Sequence, residues 1–119
     1  MVAYEELSGF SGELIQIRAS HYWPPLGGVN CGNFVNGQCV SHMASGLSWQ
    51  SYIGVAIACP SQLEFGTKII VFEKTWICYD RGGKIQMENG IYWIDFLSES
   101  SPFDNYRYGG IFDAILILP

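Results

Sequence analysis

From Glu13 apolar and polar residues alternate, and further along the chain short apolar runs are separated by turn residues. Ile15, Ile17 and Ala19 point one way while Gln16, Arg18 and Ser20 point the other, which is the period of a half-buried strand. Pro24-Pro25 ends it. Residues 24–50 are rich in Gly, Asn, Ser and Pro and read as one long loop, of the kind that is functional or stapled. Residues 46–52 have room for one helical turn. A continuous small apolar strand is expected at 53–58 and a β-branched one at 67–73. Glu73-Lys74 is expected to turn the chain into a strand at 75–80, which Arg81-Gly82-Gly83 breaks. Asn89-Gly90 signals another turn, followed by a strand at 91–97. A polar, aromatic-containing loop covers 98–110, and 111–118 closes the chain as a last strand. Residues 1–12 show no period and read as a loose N-terminal arm. The rest, 13–119, is expected to form one all-β domain. Six short strands with long irregular connections suggest a small closed barrel, which leaves no sheet edge exposed.

Two of these strands contain an acid. Trp76, Cys78 and Asp80 share a face by alternation, as do Ile91, Trp93 and Asp95. Apolar neighbours desolvate a carboxyl and raise its pKa, and a second acid nearby pushes the same way. A carboxylic acid that keeps its proton near neutral pH is what protonation of a glycosidic oxygen requires. The plainer alternative puts each acid at a strand end in water. Asp80 fits that alternative because Gly82-Gly83 follow closely, whereas Asp95 has apolar residues on both sides.

Composition narrows the class of partner. The 119 residues suit one domain, and 14% charged against 49% hydrophobic residues describe a globular chain. The net charge is −5, and six Lys and Arg spread along the chain supply no basic face for nucleic acid or an anionic membrane. A neutral polymer such as a glycan fits better. The longest apolar runs are strand-sized, too short for a helical membrane span. No signal-peptide pattern opens the chain, so a removed leader, another export route and cytosolic residence all fit.

The four cysteines, Cys31, Cys39, Cys59 and Cys78, contain no C-x-x-C spacing and allow three pairings. Cys31 and Cys39 flank Asn36-Gly37, as in a stapled short loop. Four buried free thiols in a cytosolic protein are the alternative. His21 and His42 have no second ligand at metal-binding spacing and read as ordinary polar residues. Aromatic residues make 15% of the chain. Most belong in the core, but Tyr22, Trp23, Trp49, Tyr106 and Tyr108 fall in or beside loops, where their faces suit sugar rings.

Taken in order, "RASHY", "ASG", "FGTKIIV", "CYDRGGKI" and "WIDF" resemble the three-aspartate (3D) domain. This is the double-psi β-barrel of the membrane-bound lytic transglycosylase A family and of small muralytic proteins related to resuscitation factors. The similarity covers residues 15–97. It implies cleavage of peptidoglycan glycan strands between N-acetylmuramic acid and N-acetylglucosamine, leaving a 1,6-anhydro end without water or a cofactor. By position, Asp95 is the implied acid/base and Asp80 its tuning partner. Tyr22, Ser45, Lys68, Gly82 and Gly83 are the implied substrate contacts, the glycines admitting a sugar close to the backbone.

The chain departs from the pattern in three ways. Cys59 stands where the family has its first Asp, Arg81 stands where it has a Thr, and the spacing from Asp80 to Asp95 is longer. A guanidinium beside Asp80 is expected to lower that acid's pKa. In the implied fold the strand ending at Cys59 lies near the strand ending at Asp80, and Cys78 shares a face with Asp80, so a Cys59–Cys78 bridge is expected, leaving Cys31 and Cys39 to close the long loop. Both bridges would imply an oxidising location, extracellular at the cell wall or phage-borne. The rival readings are a non-catalytic glycan-binding or virion-structural module of the same fold, and a cytosolic structural protein with free thiols.

Overall fold

The computed structural model describes residues 12–83, 85–106 and 110–119. The expected N-terminal arm, apart from Gly12, and Tyr108 lie outside the described residues. The strands are β1 (Glu13–Tyr22), β2 (Phe34–Val35), β3 (Gln38–Cys39), β4 (Ala56–Ala58), β5 (Lys68–Val71), β6 (Lys74–Asp80), β7 (Met87–Glu88), β8 (Ile91–Leu97) and β9 (Ile111–Ile117). Single 3-10 turns occur at Pro24–Leu26, Gly28–Asn30 and Trp49–Ser51, and no α-helix is present among the described residues.

Six strands close into a barrel in the order β1-β9-β5-β6-β4-β8, with β8 returning to β1. The β1/β8 and β4/β6 pairs are parallel and the other four antiparallel. Strands next to each other in sequence are therefore often not neighbours in the barrel, because parallel partners need long crossovers. The short β7 hydrogen-bonds to β8, and β2 and β3 form a separate ribbon in the long loop.

Alternation sorts the side chains as expected. Ile15, Ile17 and Ala19 of β1 point inward, where Ile69, Trp76, Cys78, Ile94, Phe96, Ala114 and Leu116 join them from the other strands. A second apolar cluster lies outside the barrel wall. Ala56 of β4 and Leu97 of β8 are covered there by Met43 and Trp49, with Tyr22, Trp23, Tyr52 and Tyr79 packed around them. The long loop is thus a lid on one barrel face. Trp23 packs edge-on against Trp49 at 5.6 Å, so much of this aromatic surface is spent on holding the loop down.

Two expected boundaries shift. Residues 53–55 form a turn, because the Tyr52 carbonyl accepts from both Val55 and Ala56 N–H at 2.9 Å, so only Ala56–Ala58 is strand. The turn between β5 and β6 falls at Phe72-Glu73, not Glu73-Lys74. Both residues have positive φ, 55° and 60°. That conformation is uncommon for a phenylalanine, and its ring packs on Phe96, Phe103, Tyr106 and Phe112. The turns at Asn36-Gly37 and Asn89-Gly90 form as expected, with positive φ at all four residues.

Both bridges form: Cys31–Cys39, with Cα atoms 5.9 Å apart, closes the loop around β2 and β3, and Cys59–Cys78, 6.0 Å apart, ties the end of β4 to β6 inside the core. Among the described residues no cysteine is free, and no helix is long and apolar enough to cross a membrane. Two disulfides fit a chain that matures in an oxidising compartment. Replacing Cys59 and Cys78 together by Ala is expected to lower the unfolding free energy by about 2–4 kcal/mol in urea denaturation. The Cys31→Ala/Cys39→Ala pair is expected to lose less, since its bridge spans 8 residues against 19.

Candidate active site

One row of the barrel wall carries the polar chemistry. Asp80 pairs with Ala58, Ala58 with Asp95, and Asp95 with Ser20, crossing β6, β4, β8 and β1 in turn. The two acids stand two strand spacings apart, about 9–10 Å along the sheet. Between them the wall carries only the buried methyl of Ala58. A larger side chain there would occupy the space above the row.

Asp80 reaches this row through an irregularity. Ile57 pairs with Cys78 but Ala58 pairs with Asp80, so Tyr79 is an extra residue in β6. Such a bulge re-aims the side chain that follows it. Trp76 and Cys78 face the core, while the Asp80 carboxylate opens into a cleft with Tyr22 and Asp95. The expectation that Asp80 shares the face of Trp76 and Cys78 is therefore corrected. The expected shared face of Trp93 and Asp95 holds, since the intervening Ile94 points into the core.

The cleft measures about 440 Å³. Tyr22, Ala58, Asp80, Asp95, Gly82 and Gly83 line its barrel side, and residues 28–32 and 41–44 of the stapled loop form the opposite wall. Asp80 accepts hydrogen bonds from Tyr22 Oη at 2.7 Å, from the Ala44 N–H at 2.9 Å and from the Arg81 N–H at 2.8 Å. It thus joins the loop to the barrel. Burial, then the charge and hydrogen bond of Asp80, push the Tyr22 phenol well above its usual range, so it stays protonated as a donor.

Asp95 is treated differently. Among the described residues it accepts one hydrogen bond, from Ser20 Oγ at 3.0 Å, and Ser20 Oγ accepts from Trp93 Nε1 at 2.7 Å. Burial pushes the Asp95 pKa up to about 6, with the Asp80 charge adding to the rise. The Ser20 hydroxyl and His21 oppose it. Two residues of the same type on one row are thus set to different tasks, one saturated with donors and one left largely desolvated.

Arg81 does not act as expected on Asp80. Its guanidinium donates to Cys59 Sγ and Cys78 Sγ, each at 3.0 Å, and to the Leu63 carbonyl at 2.6 Å, and it lies over the Phe65 ring at 4.2 Å. Only its backbone N–H meets the Asp80 carboxylate. Lys68 is exposed at the start of β5, opposite Ile77 and Ile117, and is not brought to the cleft. The Ser45 backbone N–H docks on the Tyr79 carbonyl at 3.1 Å, while its hydroxyl accepts from the Leu47 N–H at 3.5 Å. Gly82 serves packing, because a Cβ there would collide with Ile85; Gly83 has open space around it. Tyr106 stacks on Phe72 at 5.0 Å, away from the cleft. His42 lines the cleft, and His21 has a buried Nδ1 with no partner among the described residues. No group of three or more His, Cys, Asp or Glu among the described residues is placed to hold a metal.

Ser20, Trp93 and Ala44 escaped sequence reasoning. Alternation puts Ser20 with Tyr22, and Trp93 with Asp95, but only the parallel β1/β8 register brings the two pairs together. Comparison with known protein families, with curated proteins and with solved structures finds no match.

The raised pKa of Asp95 has a consequence for stability. The folded state holds the proton to about pH 6, the unfolded chain only to the ordinary value of 3.8. The resulting stabilisation is fully present below the unfolded value and is lost as pH rises through about 6. Asp95→Asn is therefore expected to stabilise the protein by up to about 3 kcal/mol at pH 7.5 and by little at pH 3.5. Paired denaturation curves at the two pH values check this.

Proposed function

We propose that this chain cleaves the glycan strands of peptidoglycan as a lytic transglycosylase, with a barrel of the double-psi type and Asp95 as its one cycling acid. The observation that carries the reading is the desolvated Asp95 carboxyl, with a pKa near 6, facing an open cleft. In its protonated form Asp95 donates to the oxygen of the MurNAc–GlcNAc bond as the bond to C1 breaks, and the proton leaves with the GlcNAc hydroxyl. The resulting carboxylate takes the proton of the muramyl C6 hydroxyl as that oxygen bonds to C1. This closes the 1,6-anhydro ring and returns Asp95 to its starting form. One proton is given and one regained, and no water is consumed; ordinary two-carboxylate hydrolysis differs in needing a water. Asp80 adds negative charge two strands away, which sustains the Asp95 pKa and favours positive charge developing at C1. The loop wall, which carries no Lys, Arg, Asp or Glu, and the net charge of −5 suit a glycan better than a polyanion. Such an enzyme would work outside the cell, at the wall or carried by a phage.

One observation favours a second reading. Cys59, at the position of the family's first Asp, is locked in a disulfide and offers no titratable group. A non-catalytic glycan-binding or phage structural module of the same fold would need only the cleft.

Digestion of purified peptidoglycan separates the readings. Anhydro-ended muropeptides from wild type, absent with Asp95→Asn and falling as pH rises above about 6, are the expected result by mass spectrometry. Reducing-end products would mean a hydrolase. Folded protein that binds the glycan without cutting it would mean a binding module.

A further inference from the structure

The hydrogen bonds behind Asp95 have a direction that the chemistry of the groups dictates. The Trp93 indole N–H lies 2.7 Å from Ser20 Oγ, and Ser20 Oγ lies 3.0 Å from Asp95 Oδ1. An indole nitrogen only donates, so Ser20 accepts at that contact. The single hydroxyl proton of Ser20 is then directed at Asp95 Oδ1. A proton on Oδ1 would displace it, leaving the Ser20 hydroxyl with no other acceptor among the described residues. Asp95 Oδ2 has no hydrogen-bond partner among the described residues, and Asp95 lines the cleft.

We propose that Ser20 and Trp93 are positioning residues that commit Asp95 Oδ1 to accepting and so confine the catalytic proton to Oδ2. The proposal rests on the reading of Asp95 as the acid/base. Its use there is specific, because the same acid acts twice. With Oδ1 committed to Ser20, the oxygen that protonates the leaving group is also the one left free to receive the C6 hydroxyl proton. A carboxyl free to carry its proton on either oxygen would spend part of its time with the acidic atom turned away from the substrate.

The framework of the relay is rigid. Parallel pairing sets Ser20 opposite Asp95 and Arg18 opposite Trp93, so the indole crosses diagonally to the hydroxyl. All three groups are partly buried, which shields both bonds from water. Among the described residues, the other titratable groups around Asp95 and the relay are His21 and Arg18 on β1, Asp80 on β6, Tyr22, whose phenol is given to Asp80, Arg81, whose guanidinium is given to the disulfide and the Leu63 carbonyl, and His42 from the loop wall; β4 pairs Ala58 with Asp95. None of them contacts Oδ1.

The test follows the Asp95 carboxyl carbon by NMR pH titration in the full chain, with Ser20→Ala, Ser20→Thr, Trp93→Phe and the Ser20→Ala/Trp93→Phe pair. Ser20→Ala is expected to raise the Asp95 midpoint by about one pH unit, the order expected for a hydrogen bond to a charged group. Ser20→Thr keeps a hydroxyl and is expected to stay near wild type, which separates the relay from general damage to the strand. Trp93→Phe changes both the relay and the covering of Asp95, and the pair isolates the first. The indole deletion is expected to move the midpoint further upward when Ser20 is present than when it is Ala. An equal shift in both backgrounds, or no change with Ser20→Ala, overturns the proposal. The decline of muropeptide release with rising pH is expected to move with the NMR midpoint. Coupled titrations in a wild type that releases no muropeptide would support the relay and refute the catalytic reading. Release by wild type with uncoupled titrations would refute the relay alone.

Discussion

Closure of the barrel through the parallel β1/β8 pair is the constraint on which the rest depends. An open six-stranded sheet would leave two unpaired edges and would bury only one side of its apolar residues. Closure pairs every barrel strand on both sides and seals Ile17, Ile69, Ile94 and Phe96 inside. The same pairing, in the same register, places Ser20 against Asp95 and Tyr22 beside Leu97. A slip of one residue would turn Ile94 and Phe96 outward and Asp95 into the core. The burial that fixes the fold therefore also fixes the acid.

The two carboxyls show how one row of sheet produces opposite environments. Asp80 sits past a bulge at the end of β6, where a loop amide, its neighbour's amide and a phenol converge on it. Asp95 lies in mid-strand, where the backbone amides are used by the ladder and cannot reach a side chain. Among the described residues it is left with one hydroxyl and the apolar wall. Donors at strand ends and their scarcity in mid-strand thus divide the labour between the acids, and Ala58 keeps the space between them open.

Arg81 and the Cys59–Cys78 bridge form a second unit behind this row. The guanidinium spans both sulfurs and the Leu63 carbonyl, and Phe65 covers its face. Arg81 lines the cleft, but its guanidinium is held at the strand ends that carry Asp80. Beside it the cleft presents carboxylates, backbone amides, His42 and the aromatic rings of Tyr22 and Trp49, a mixed polar and apolar surface suited to sugars.

Much of the fold is legible in the order of residues alone. Alternation marks β1, apolar runs bounded by turn residues mark β6, β8 and β9, and the Asn-Gly turns fall where they are expected, because these signals are local. Residues 53–55 mislead, since apolar composition does not distinguish a short strand from a packed turn. Phe72-Glu73 misleads because the Phe72 ring packs on four aromatic rings distant in sequence, Phe96, Phe103, Tyr106 and Phe112, which local patterning does not show. For the site, the sequence by itself determined which residues carry titratable groups and that Asp95 lies within an apolar strand. It could not determine that Asp80 leaves the face of Cys78, that Arg81 turns to the disulfide, or that Lys68 stands apart from the cleft. Nor could it pair Ser20 and Trp93 with Asp95. Those outcomes depend on a bulge and on the register between strands some 75 residues apart, and local patterning has no means of encoding register except through the closed barrel that enforces it.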